Sequence, residues 1–432
     1  MSATATATDG ARARPAFAAL CVFVLLIYAI PDVWLGLGDV GLAKIAAAAA
    51  LGALGISWLL YGRRLYAGGV VGALLAIFYA WIGASATWSL WPALTADSFF
   101  DGLKYLAIFF LLANVVDDRR RAITTVMVVA WASAIPAIGA IDSWVHGEHL
   151  VEGDRAGWVG LFANPNDLAH YLVVGMALAL GGRDAVRARS VKLAGLGLLA
   201  LLGTAILLTQ SRGGMLAAAT VIGLWALRGA ARGRAAVGVA AMVALAVQLA
   251  PETTWRRAET AFDYQTDASA QGRIDAWRTG LNVARDRPLT GVGAGAFALA
   301  WPEFAPGDAG PPRSPHNTFI QLLGETGLPS LGLFAAAVGW LSWRLGRVAR
   351  GAGEIATLAR AVQVGLAGFV VCSLTGGYAY SWPLYLLLGL GVALDRVAAG
   401  AAIEGGREPF SLGAETWPQG RPHLVPSGSE VH

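Results

Sequence analysis

The sequence predicts an all-α polytopic membrane protein of about twelve transmembrane helices, with one long loop on the outer side. Three observations predict it. Of 432 residues, 56% are apolar and only 14% charged, where soluble domains carry about 25% charge. The apolar residues arrive in blocks of about 18–25, enough to cross about 30 Å of hydrocarbon as helix. The blocks lack strict period-2 alternation, which leaves helices rather than a barrel to satisfy the backbone in lipid. The 55 glycines fit the same class, since Gly is commoner in transmembrane helices than in soluble ones.

In chain order, spans are expected at 16–30, 40–60, 65–85, 99–116, 121–141, 158–180, 191–209, 212–228, 234–250, 316–342, 360–377 and 378–396. The first is short for a full crossing. It is read as a retained helix rather than a cleaved leader because many spans follow. The last two are divided only by "TGGYAY", so eleven spans remain an alternative. Residues 1–15 then form an N-terminal segment, 16–400 the bundle, and 401–432 a Pro/Gly/Ser/Glu-rich tail expected to be disordered. Cys21 and Cys372 lie inside apolar blocks, with no disulfide or metal spacing.

Charge orients the bundle. The net charge is +4, but the basic residues fall in short runs between apolar blocks, an orientation signal rather than a nucleic-acid surface. One set of alternate joints holds Arg12 and Arg14; Arg63 and Arg64; Arg119 to Arg121; Arg183, Arg187, Arg189 and Lys192; Arg228, Arg232 and Arg234; and Arg344, Arg347, Arg350 and Arg360. The other set holds Asp32 and Asp39, the uncharged "ATWSLWPALTA" and the acidic "DSWVHGEHLVEGDRAG". Positive-inside bias makes the N-terminus cytoplasmic and, with twelve spans, the C-terminus too.

The joint at 251–315 is the exception, a long outer loop with its own patterning. Loops of that length are usually functional. Ile274, Trp277, Leu281 and Ala284 recur at helical spacing and predict an amphipathic helix from Arg273 to Arg285. Six outer arginines (Arg256, Arg257, Arg273, Arg278, Arg285 and Arg287), with Arg313 as a seventh, are nearly balanced by acids. Salt bridging on a small external subdomain is the ordinary account of any one of them.

Some residues resist such accounts. Arg212 lies in "LLTQSRGGMLAAATV", where two spans meet almost without a loop. Ser211 suits an N-cap, which puts Arg212 in a first turn, where positive charge opposes the helix dipole. That end is also a phosphate site in waiting, and Arg adds bidentate phosphate recognition; an arginine snorkelling to the interface is the alternative. His316, in "PPRSPHNTFIQLLGETGLPSLG", is expected in the first turn of the next span, where the helix end favours neutral imidazole, the form a general base needs. Glu325 lies nine residues on, about 180° around the helix, and is expected to bond elsewhere. Asn164, Pro165, Asn166 and Asp167 are expected within the outer third of a span, weakening its ladder; packing is an equal account of these and of His170. The acidic 142–154 segment matches no firm metal-ligand spacing. "GVGAGAF" lacks the βαβ context of a dinucleotide fingerprint; Gly291, Gly293 and Gly295 instead predict a tight bend that brings backbone close to a ligand or helix.

In order, "GLFANPNDLAHYL", "SRGG", "GRIDAWRTGL", "DRPLTGVGAGAF" and "PHNTFIQLLGETGLPSLG" resemble the O-antigen ligase family, which includes polysaccharide polymerases and protein O-oligosaccharyltransferases. The resemblance covers about residues 155–340; the first five spans match in topology only, and the tail not at all. It implies a metal-independent, inverting glycosyltransferase of the bacterial inner membrane with its site on the periplasmic face. The implied donor is an undecaprenyl-pyrophosphate-linked glycan and the acceptor a lipid A-core or another glycan, with membrane lipid as surroundings, no cofactor and no nucleic acid. By resemblance, Arg212 and Arg273, with Arg278 beside them, hold the pyrophosphate, and His316 is the base for the acceptor hydroxyl. Asn164, Asn166, Asn317, Glu325 and the three loop glycines are supporting residues. Ligation to lipid A-core is the first expectation, a polymerase of the same family the second. A secondary transporter is the rival from another class; it calls for internal repeats with broken helices at mid-membrane, and no clear repeat is visible.

Overall fold

The computed structural model describes residues 14–38, 40–228, 268–307 and 309–404. The expected span at 234–250, the first part of the outer loop and nearly all of the 401–432 tail lie outside the described residues.

The chain is an all-α membrane bundle. Its helices are α1 (Arg14–Ala29), α2 (Leu42–Tyr61), α3 (Gly69–Ala84), α4 (Pro92–Val115), α5 (Arg119–Ala132), α6 (Ala134–His146), α7 (Pro165–Ala185), α8 (Arg189–Leu208), α9 (Arg212–Arg228), α10 (Ala268–Asp286), α11 (Thr318–Val348), α12 (Glu354–Ser373) and α13 (Trp382–Glu404). Among the described residues, eight helices are long and apolar enough to cross a membrane, counting α5 and α6 as one, and α1 and α9 are shorter apolar helices. A two-residue hairpin, β1 (Leu150–Val151) with β2 (Arg155–Ala156), is the sheet among the described residues. Helix α7 is the hub. Nearly all its residues are buried, and it packs on α5, α8, α9 and α12.

Several boundaries differ from expectation for identifiable reasons. Helix α4 starts at Pro92 rather than residue 99, because proline suits a first helical position, where its missing N–H is not needed. The span expected at 121–141 runs from Arg119 to His146 and bends at Ser133, three residues before Pro136. The span expected at 158–180 begins only at Pro165, with Asn164 as its cap. Hence Asn164 and Pro165 do not interrupt a span; they start one. The final pair is two separate helices, α12 and α13, joined by a turn at 374–381.

The joints sort to two ends. Arg63 pairs with Asp117 at 2.9 Å and Arg121 with Asp117 at 2.7 Å, while Arg119 pairs with Glu354. These contacts bring three of the expected inner joints together. At the other end, the Leu90 amide donates to the Val292 carbonyl (2.9 Å), Arg155 to the Thr209 carbonyl (3.0 Å) and Asn317 to the Leu374 carbonyl (3.2 Å).

Helix α11 is broken. Gly327 sits at φ 75°, ψ −174°, and Pro329 follows. Proline has no N–H for the carbonyl four residues back, so the carbonyl of the buried Glu325 is left over. The glycine-rich segment of the outer loop fills the gap. Val292 donates to the Gly324 carbonyl (3.0 Å) and Gly293 to the Glu325 carbonyl (2.7 Å), while the Leu328 amide donates to the Pro288 carbonyl (2.8 Å). Trp81 Nε1 takes the Thr326 carbonyl at 2.8 Å. Non-helical backbone at this depth is tolerated where protein re-satisfies it.

Candidate active site

The site is built on the N-terminal ends of α7, α9, α10 and α11 and on the 374–381 turn. At α9, Ser211 Oγ accepts from the Gly214 amide at 3.2 Å, the expected N-cap. Arg212 is therefore the first helical residue, and it is exposed. Gly213 backs so closely onto Thr375 that an added Cβ would overlap the hydroxyl. That same turn is tied to α11: Asn317 Nδ2 donates to the Leu374 carbonyl (3.2 Å), Thr318 Oγ1 to the Gly376 carbonyl (2.9 Å), and the Tyr378 amide to Thr318 Oγ1 (2.8 Å). Arg212 and His316 thus flank one turn.

His316 lies two residues before the first helical residue of α11, outside the first turn where it was expected. Asn317 is the N-cap of α11, its Oδ1 accepting from the Phe319 and Ile320 amides at 2.9 and 3.1 Å. His316 precedes the cap with left-handed backbone, φ 43°, unusual for a non-glycine residue and of the kind held at functional sites. Its ring is half-buried, with Ser314 Oγ 3.0 Å from Nε2. Burial, then the Arg273 and Arg313 charges, hold its pKa below the ordinary value. The direction expected from a helix end is found; the causes are desolvation and two guanidinium groups.

Helix α10 is the expected amphipathic helix of the loop, extended at its start to Ala268. Its buried face differs from expectation. Gly272, Ala276, Thr279, Gly280 and Val283 are buried, whereas Leu281 is 49% exposed. Small residues let the helix approach α11 closely: a Cβ on Gly280 would overlap Ile320. Trp277 Nε1 donates to the Pro315 carbonyl at 3.0 Å, pinning α10 to the residue before His316. Arg273, one turn earlier on that face, is half-buried and acts on His316. Arg278 lies about 140° around the helix from Arg273, 58% exposed and 3.9 Å from Asp275. Arg313 packs over Gly272. It is the second arginine acting on His316.

The supporting residues have structural occupations. Asn164 caps α7, accepting from the Asn166 amide at 2.8 Å. Asn166 Oδ1 accepts from Arg155 Nη2 at 2.8 Å. Glu325 is 3% exposed. Its carboxylate lies against the Gly295 amide, Gln321 and Tyr380; the Glu325 Oε2, Gln321 Oε1 and Tyr380 hydroxyl atoms make no hydrogen bond. Glu325 therefore faces the glycine-rich loop and the 374–381 turn. Gly291 and Gly293 have φ of 62° and 103°. A Cβ on Gly291 would lie 2.5 Å from the Glu325 backbone, and one on Gly293 would overlap Ser89; the expected tight bend faces a helix break.

Arg155 was not singled out from sequence. It is 6% exposed and bonds to Glu152, Asn166 and the Thr209 carbonyl. A buried arginine among loop residues is a signal only once the fold is known. Among the described residues, no group of three or more His, Cys, Asp or Glu is placed to hold a metal ion.

Comparison with known proteins gives three likenesses. The family model described as O-antigen ligase matches residues 197–335. The exopolysaccharide production protein ExoQ of Rhizobium meliloti (strain 1021) is 28% identical over 280 residues, 59% of this chain and 62% of that protein; the chain thus matches a little under two thirds of that relative's length. A chain from a solved structure on polymerization and crosslinking by a peptidoglycan synthase complex overlays with a TM-score of 0.46 and 19% identity, covering 76% of this chain and 96% of that one.

Proposed function

Because the chain belongs to the superfamily of O-antigen ligases and Wzy-type polysaccharide polymerases, we propose that it polymerises a surface or exopolysaccharide from polyprenyl-pyrophosphate-linked repeat units. The observation that carries polymerisation over ligation is the similarity to an exopolysaccharide production protein across 59% of the chain. The match of residues 197–335 to the O-antigen ligase family favours transfer to lipid A-core as the second reading.

In this reading the reaction is a single displacement at the anomeric carbon. His316, kept neutral by burial and by Arg273 and Arg313, takes the proton of an acceptor hydroxyl. The oxygen attacks, the bond from anomeric carbon to phosphate oxygen breaks, and the carbon inverts. The pyrophosphate leaves on its lipid, its charge met by Arg212 and Arg273; preorganised guanidinium groups serve charge that develops in the transition state. Arg278, exposed on the far face of α10, would reach a more distal phosphate or glycan group. The site opens to the periplasm of a bacterial inner membrane, with both termini cytoplasmic; the basic inner joints support that orientation.

The test is reconstitution in lipid with a defined polyprenyl-pyrophosphate repeat unit as the sole glycan. A ladder of lengthening products, lost in His316→Ala, is expected. Transfer only after lipid A-core is added would establish the second reading instead, and transfer to neither acceptor would refute both.

A further inference from the structure

The first turn of α7 is bonded in two directions. On one side, Asn166 Oδ1 accepts from Arg155 Nη2 at 2.8 Å, and Arg155 Nε donates to the Thr209 carbonyl at 3.0 Å. Thr209 opens the turn that continues through Ser211, whose amide donates to Thr209 Oγ1 at 3.2 Å, to Arg212. On the other side, the Asp167 carboxylate lies against the Tyr378 hydroxyl. Tyr378 is held in place by the buried His170 ring, stacked on it at 3.9 Å and 4°. Its amide donates to Thr318 Oγ1 at 2.8 Å, two residues after His316. One helical turn is therefore joined to both chains that carry the proposed reacting groups.

This arrangement is a poor way to gain stability alone. A buried arginine loses much of its hydration, and apolar side chains of similar volume commonly serve as well or better. A guanidinium does offer fixed geometry: planar donors that hold several acceptors at set distances. Arg155 uses that fork on Glu152, Asn166 and the Thr209 carbonyl at once. Asn166 and Asp167 each act on a turn that presents one of the two reacting groups, Arg212 or His316.

We infer that Arg155 and Asp167 are positioning residues, which fix the separation of Arg212 and His316 through the first turn of α7 and so hold donor pyrophosphate and acceptor hydroxyl in register. The inference rests on the polymerase reading for the identity of the reactants. The demand for such a strut is general: a displacement of about 1 Å at a reacting pair can lower a rate about a hundredfold.

Two readouts decide it, both on the full-length protein in lipid nanodiscs. The first is kinetic, with the polyprenyl-pyrophosphate repeat unit as donor. Arg155→Met should raise the donor KM about tenfold, and Asp167→Ala should lower kcat about tenfold with donor KM little changed. Arg155→Lys, which loses the fork, should behave like Arg155→Met; Asn166→Asp, which keeps an acceptor for Arg155, should behave like the parent. In an Arg212→Ala background, Arg155→Met should add little. Losses that multiply instead, or Arg155 and Asp167 variants with the same KM and kcat pattern, overturn the inference. The second readout needs no turnover. Spin labels at Leu216 on α9 and Ser314 beside His316, with Cys21 and Cys372 replaced by alanine, report the separation directly. Arg155→Met should broaden that distance distribution, and an unchanged distribution overturns the inference. Failure of the unaltered protein to transfer glycan counts against the polymerase reading alone, since the label distances still decide the strut.

Discussion

The Gly293 amide donates to the Glu325 carbonyl at 2.7 Å, a carbonyl left over because Pro329, four residues on, has no N–H to give it. The outer loop is thereby built into a transmembrane helix. Loop 288–295 continues from α10, which carries Arg273, and α11 begins two residues after His316, so the seam joins the two sides of the candidate site.

A side chain at Gly293 should break this seam. Its φ of 103° is strained for any L-residue, and a Cβ would overlap Ser89. Gly293→Ala is expected to lower stability by about 1–3 kcal/mol and to reduce transfer more than stability alone explains. Thermal unfolding in detergent, compared with turnover well below the transition, checks both. An alanine variant as stable and active as the parent would show that the loop seats loosely.

Glu325 should matter as an acceptor rather than as a charge. Its buried carboxylate lies against the Gly295 amide. Glu325→Gln keeps a carbonyl oxygen there and should retain most activity. Glu325→Ala leaves a buried donor unpaired, at a cost of about 1–3 kcal/mol. If Gln proved as damaging as Ala in a transfer assay, the ionised carboxylate itself would be required.

Much of this architecture is legible in the sequence, and the reasons for the gaps are physical. Spans announce themselves because lipid demands long apolar helices, and Ser211 was readable as a cap because capping is local. Asn164 and Pro165 carried the same kind of local signal, a cap followed by proline at the first position; continuous hydropathy from residue 158 masked it. The buried face of α10 is offset from the Ile274–Leu281 stripe because glycine and alanine permit close helix contact, and apolar size does not report that. The break at Gly327, the Thr209 arm of the Arg155 fork and the Asp167–Tyr378 contact depend on partners from about 30 to about 250 residues away, and no local pattern encodes them.

The arginines should separate by role. Arg212 stands on a helix N-terminus, where backbone amides add to its charge, so Arg212→Ala should weaken donor use about tenfold or more, the scale of a lost hydrogen bond to a charged group. Arg278, 58% exposed and beside Asp275, is screened by solvent, and Arg278→Ala should change the donor KM by no more than about threefold. Donor titrations at saturating acceptor distinguish the two; a larger effect at Arg278 would move the pyrophosphate to the outer face of α10.

The pH profile follows from the surroundings of His316. Burial is the largest influence, followed by Arg273 and Arg313, and all three disfavour the protonated ring. A base must be neutral to accept a proton, so kcat/KM should fall on the acid side with a midpoint below the ordinary histidine value of about 6.5. Arg313→Ala removes one positive charge. The folded-state pKa should then rise, moving the acid limb toward higher pH and lowering the rate at a fixed mildly acidic pH while leaving the plateau above it nearly unchanged. Burial remains in that variant, so the limb should not pass the ordinary value. Arg273→Ala should move the limb the same way and, if the proposed contact of Arg273 with the leaving pyrophosphate holds, also lower the plateau. Profiles of the parent and both variants, taken with the same donor, test the assignment. An acid limb that stays in place in both variants would mean that another group sets it and that His316 is not the base.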